Sequence, residues 1–239
     1  MHSLCVLLRT AHYSLGLRMI LKRGNVSAMA DTNQYPMPIR IAAKVFSYIF
    51  HPLFLPLYIA VFFIYELKLF PERTEWEKKL IIIQFFIYYT FLPLITTVFS
   101  KSLGFIESVH LKTQKDRIIP YVICQVFYFW GWYVFKNIPF PDEVIMFGLG
   151  VFLSGTLGLM LNAYMKVSMH GLAVGAVAAF MLLSAMDTDR SYGIYIALAF
   201  LVAGITCTAR LIDSDHSEKE IYTGFFAGAF AMLVASFFV

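Results

Sequence analysis

Apolar residues fall into seven blocks along the chain, near 41–65, 80–100, 118–135, 144–165, 171–186, 192–209 and 221–239. Most approach the roughly 17–25 residues that a helix needs to cross a hydrocarbon layer. Lipid offers the backbone no hydrogen bonds, so a spanning segment is either a helix or a strand of a closed barrel. A barrel requires period-two alternation, which these blocks lack. The pattern predicts an all-α, polytopic integral membrane bundle of about 6–7 transmembrane helices. It forms one domain over 41–239 behind a basic arm at 1–40.

The connectors are short: "ELKLFPERTEWEKK", "KSLGFIESVHLKTQKDR", "KNIPFPDE", "MKVSMH", "DTDRS" and "RLIDSDHSEKE". They leave no room for a separate soluble domain. Each full span moves the chain to the other side of the bilayer, and two spans separate 101–117 from 166–170, with two more before 210–220. The three connectors richest in chemistry therefore emerge on one face, with the N-terminus. Small-xxx-small spacing in "GLAVG" (Gly171, Gly175) and "GFFAG" (Gly224, Gly228) allows close helix approach in lipid; if the fifth and seventh segments pack through these glycines, the connectors at their starts are drawn into one pocket. The aromatic runs "FFIYYTF" and "FYFWGWYVF" are expected at interfacial belts and lipid-facing surface.

Composition supports the membrane reading. The 239-residue chain is 59% hydrophobic and 14% charged, with a mean hydropathy of +0.71. A net charge of +4 spread over membrane-flanking loops excludes a nucleic-acid surface. Lys and Arg number 13 on the N-terminal side and 6 opposite, which points that side to the cytoplasm. An anion site would contribute cations to the same count. Cys5, Cys124 and Cys207 are scattered, so neither a disulfide frame nor a CxxC site is available. Arg9 and Arg18 break the apolar runs of the arm, which reads as a basic tail or an extension ahead of Met29 rather than a secretory signal.

Within the three connectors, His216 and Glu220 are four apart, so on a helix the carboxylate can hold one imidazole nitrogen and leave the other as a nucleophile. Arg210 offers a planar donor fork suited to phosphate. "KVSMHG" supplies Lys166, Ser168 and His170 at a helix start, where free amides favour anions. "HLKTQKDRIIP" adds His110, Lys112, Lys115 and Arg117.

Together these residues resemble the type 2 phosphatidic acid phosphatase superfamily, whose three motifs are K-x6-R-P, P-S-G-H and S-R-x5-H-x3-D. The third reads here Ala209, Arg210, five residues, His216, three residues, Glu220; the second reads Val167, Ser168, Met169, His170. In the first, Arg117 stands six residues after His110, with "RIIP" for "RP" and Lys112 or Lys115 available in place of the lysine. The motifs cover about half the chain, from 110 to 228, and with "YIFHPLFLPLY" the whole is similar to small bacterial membrane proteins that are divergent relatives of the superfamily.

The resemblance implies that His216 attacks phosphorus, Glu220 orients it, and His170 protonates the leaving oxygen and then helps activate water. It also implies that Arg117, Arg210, Ser168 and a lysine (Lys112, Lys115 or Lys166) hold the phosphoryl oxygens. Metal and cofactor are not required, the partners are membrane lipids and a lipid phosphate, and the location is a bacterial inner membrane. Oligomeric state is left open.

Plainer roles compete. Lys101, Lys112 and Lys115 also serve as topology cations. His51, in "HPLFLP", is expected to take a structural role or to make a helix-break contact, and Asp213, Asp215, Glu218 and Lys219 to form a solvated turn. Glu220 for Asp lengthens the orienting arm, and Asp213 and Asp215 add negative charge beside the phosphate pocket. These departures leave open a noncatalytic scaffold or complex subunit that keeps the fold and binds headgroups. A transporter lacks internal repeats here, and a metal-dependent phosphatidyltransferase lacks its series of aspartates.

Overall fold

A computed structural model describes residues 35–105, 114–186, 192–213 and 216–239. These residues form eight helices and no strand: α1 (Met37–Ile49), α2 (Leu55–Val61, continued by a π-helical stretch Phe62–Glu66), α3 (Glu75–Ser102), α4 (Gln114–Lys136), α5 (Asp142–Asn162), α6 (Met169–Met186), α7 (Gly193–Asp213) and α8 (Glu218–Ala235). The protein is an all-α membrane bundle. Five helices, α3 to α7, are long and apolar enough to cross a membrane. α8, whose first turn carries Glu218, Lys219 and Glu220, is not among these five.

The block at 41–65 is not one span. It breaks at His51-Pro52, because proline cannot continue a helix and disfavours helical backbone at the residue before it. The products, α1 of 13 residues and α2 with its π-helical stretch, are each too short to cross. Residues 37–40 of the predicted arm belong to α1, with Pro36 as the preceding cap residue; 1–34 lie outside the described residues.

The enclosed helix is α6: 56% of its span is buried inside the protein, against 17% for α7. Only part of the aromatic crowd faces lipid. Helical spacing puts Phe85 and Tyr89 of α3 and Tyr128 and Phe135 of α4 on inward faces, where all four are buried and Phe85 and Phe135 stack at 4.8 Å. Phe86, Phe91, Phe129, Trp130 and Tyr133, on the other faces, are exposed.

The contact that positions the candidate site is the crossing of α6 and α8. A Cβ on Gly175 would fall inside the van der Waals shell of the Phe225 carbonyl oxygen, and one on Gly228 inside that of Leu172. Backbone packs on backbone there, which the glycine spacing allows. The Ser168 amide then donates to the Glu220 carbonyl at 3.1 Å, joining the two helix starts.

Gly175→Val and Gly228→Val should each cost ~3 kcal/mol or more, because the obstruction is backbone and cannot repack. Gly204→Val on α7, where nothing lies within 4 Å of the added carbon, should change stability by less than about 1 kcal/mol. Unfolding in detergent checks both; equal stability at all three positions would refute the close crossing.

Candidate functional site

Two helix starts carry the core of the site. Ser217 caps α8, accepting from the Glu220 amide at 3.4 Å, while Glu220 reaches back to accept from the Ser217 amide at 3.0 Å. This reciprocal cap satisfies donors that a helix start leaves open. The same Glu220 oxygen lies 3.0 Å from His216 Nδ1. One carboxylate oxygen thus both closes the cap and holds the imidazole. Ser168 plays the capping part at α6, its Oγ accepting from the Gly171 amide at 3.2 Å.

Arg117, from the first turns of α4, bridges to both. Its Nη1 donates to the Val167 carbonyl at 2.7 Å and its Nη2 lies 3.3 Å from His216 Nε2. A guanidinium only donates and a carboxylate only accepts, so one neutral tautomer satisfies both neighbours: Nδ1 carries the proton toward Glu220, and Nε2 presents its lone pair toward Arg117. Burial, followed by the charges of Arg117, Arg210 and Lys166, pushes the His216 ring down from 6.5 to about 3, so it is neutral at pH 7.

His170 is held differently. Its Nε2 donates to the Ser47 carbonyl at the end of α1, 3.1 Å away, and its ring meets His51 edge to face at 5.2 Å. Arg210, half-buried near the end of α7, lies close enough for its charge to act on His51, His170 and His216. Burial and this charge push His51 down to about 4.

The structure therefore brings together Arg117, Lys166, Ser168, His170, Arg210, His216 and Glu220 from four helix ends. Lys115 does not join them: it is exposed on α4, and no hydrogen bond or ion pair ties it to the site. His110, Lys112 and Asp215 lie outside the described residues. Asp213 is no free acid beside the pocket, since Lys44 of α1 stands 3.8 Å from its carboxylate.

Two participants were not assigned from the sequence. His51, expected to be structural, stands against His170; its signal was a lone histidine beside a proline in an apolar block. The Ser47 carbonyl that holds His170 is a backbone atom and leaves no sequence signal. Arg117, Ser168, His170 and His216 are each less than a tenth exposed, so the site is closed. Among the described residues, no cluster of three His, Cys, Asp or Glu side chains that could hold a metal occurs. Comparison with known proteins found no matching family model, curated protein or solved structure. The superfamily resemblance rests on the motif residues alone.

Two outcomes follow from this geometry. Because both imidazoles take up protons in the unfolded chain near 6.5 but not in the folded one, stability is fully present above pH 6.5 and falls as pH drops toward 3. Each group contributes a slope of at most about 1.4 kcal/mol per pH unit. His216→Asn should flatten the fall in detergent unfolding between pH 6.5 and 5; an unchanged slope would contradict the buried neutral ring. Glu220→Asp should cost about 1 kcal/mol through the weakened cap, whereas Glu220→Gln, which can still cap, should cost less. Equal losses in thermal unfolding would contradict the shared role of the carboxylate.

Proposed function

We propose that this protein is an integral-membrane hydrolase of a phosphate monoester or pyrophosphate carried on a lipid, acting through a phosphohistidine at His216. The observation that carries this reading is the Glu220–His216–Arg117 chain. An acid fixes the Nδ1 proton of a neutral imidazole, whose lone-pair nitrogen faces a guanidinium. That is a nucleophile with its orienting group on one side and a phosphate-binding group on the other.

In the proposed reaction the Arg117 guanidinium turns from Nε2 to a phosphoryl oxygen, and Arg210, Lys166 and the Ser168 hydroxyl stabilise the remaining charge. His170 Nδ1 first takes the acidic proton of the substrate monoanion; the Nε2 lone pair of His216 then forms a bond to phosphorus as the bond to the leaving oxygen breaks, and His170 passes that proton to the leaving oxygen. Glu220 stabilises the positive charge then shared by the His216 ring. Water next attacks phosphorus, giving a proton to His170, and the P–N bond breaks with its electron pair returning to Nε2. The products are the lipid alcohol, or the shortened phosphate, and inorganic phosphate.

A lipid substrate is supported by location: a cation-lined site at the ends of spanning helices meets headgroups first. Phosphatidic acid, phosphatidylglycerol phosphate and isoprenoid pyrophosphates share the required chemistry.

One observation favours a second reading, that of a noncatalytic headgroup-binding scaffold. Arg117 engages the nitrogen that would attack, in a site already closed.

Phosphate release from a panel of lipid phosphates, with purified protein in nanodiscs, separates the two. Under the hydrolase reading, His216→Ala loses at least about a thousandfold in rate, and brief incubation with radiolabelled substrate leaves acid-labile phosphate on the wild type only. Full activity in His216→Ala would end the phosphohistidine mechanism. Lipid binding with no turnover by the wild type would establish the scaffold.

A further inference from the structure

His51 belongs to none of the three motifs, yet the turn that carries it is fixed at three points. The Leu53 amide donates to His51 Nδ1 at 3.3 Å, Thr90 Oγ1 of α3 donates to the Leu53 carbonyl at 2.6 Å, and the Ser47 carbonyl accepts from His170 Nε2 at 3.1 Å. The His51 ring stands at 88° to that of His170, with Arg210 near both.

The ring nitrogens can be assigned one by one. An amide only donates, so His51 Nδ1 carries the lone pair and the proton of the neutral ring is on Nε2. A carbonyl only accepts, so His170 Nε2 carries its proton and Nδ1 the lone pair. The pair thus carries one N–H donor, on His51, and one acceptor nitrogen, on His170, that no group among the described residues engages.

We propose that His51 Nε2–H is a further anion-binding donor of this site, delivered by the turn between α1 and α2. The ligand it fits is a phosphoryl group, whether free or on a lipid. Arg117, Arg210 and Lys166 already supply positive charge. A neutral donor adds a hydrogen bond to the oxyanion without another buried cation, whose mutual repulsion and desolvation would oppose folding. The inference rests on the proposed function only for the identity of the anion.

The competing role is packing against His170, and a phenylalanine at 51 distinguishes the two. It keeps an aromatic ring there and removes the donor. Binding of inorganic phosphate, and separately of phosphatidic acid in phosphatidylcholine nanodiscs, is measured by calorimetric titration on wild type, His51→Phe and His51→Asn. His51→Asn provides the measurement if the Phe variant does not fold.

The expected result is at least about tenfold weaker binding in the variants. Loss for both ligands identifies the phosphoryl group itself as the target, and loss for phosphatidic acid alone identifies a membrane headgroup. Unchanged affinity in His51→Phe, or no binding of either ligand by the wild type, overturns the proposal. Wild-type binding without phosphate release would sink the hydrolase reading and leave His51 as a donor. Hydrolysis with unaltered His51→Phe affinity would do the reverse.

Discussion

The Ser168 amide and the Glu220 carbonyl lie 3.1 Å apart because α6 and α8 cross with backbone against backbone, at Gly171, Gly175, Gly224 and Gly228. That approach fixes everything above it. It sets the start of α6, and so Ser168 and His170, against the start of α8, and so His216 and Glu220. Arg117 then needs one side chain to reach both, through the Val167 carbonyl and the His216 ring. In lipid no hydrophobic force draws helices together, since the tails are as apolar as the side chains, so close packing and the polar contacts it permits supply the association.

The site gathers cations and imidazoles where water is scarce, and several of its charged and polar groups have defined partners. Arg117 spends its donors on a carbonyl and a ring nitrogen. Asp213 has Lys44 opposite it. The three histidines escape the penalty in another way: His51 and His216 are held neutral by burial and by nearby guanidinium charge, and each ring nitrogen named above has a defined donor or acceptor sense. Glu220 is the economical element, since a helix cap and the orientation of His216 are obtained from a single carboxylate. Thr74 and Glu77 build the same cap on α3 without a histidine, which shows that the cap is a general device and the imidazole contact a local addition.

The sequence determined the all-helical membrane architecture, because the chemistry of lipid leaves long apolar blocks few options. It also determined which helix starts carry polar chemistry, since crossing parity and glycine spacing are one-dimensional properties, and it identified His216 and Glu220 as partners through their four-residue interval. The first block reads as a single span by length and composition, yet it breaks at His51-Pro52, because proline cannot continue a helix however apolar its surroundings. The sequence also assigned the aromatic runs too widely to lipid, because composition does not resolve which face of a helix Phe85 or Tyr89 occupies. Only the tertiary structure decided that Lys115 stands apart, that Asp213 is balanced by Lys44, and that His51 and the Ser47 carbonyl flank His170. Those relations join residues more than a hundred positions apart through backbone atoms and helix rotation, neither of which a residue's identity records.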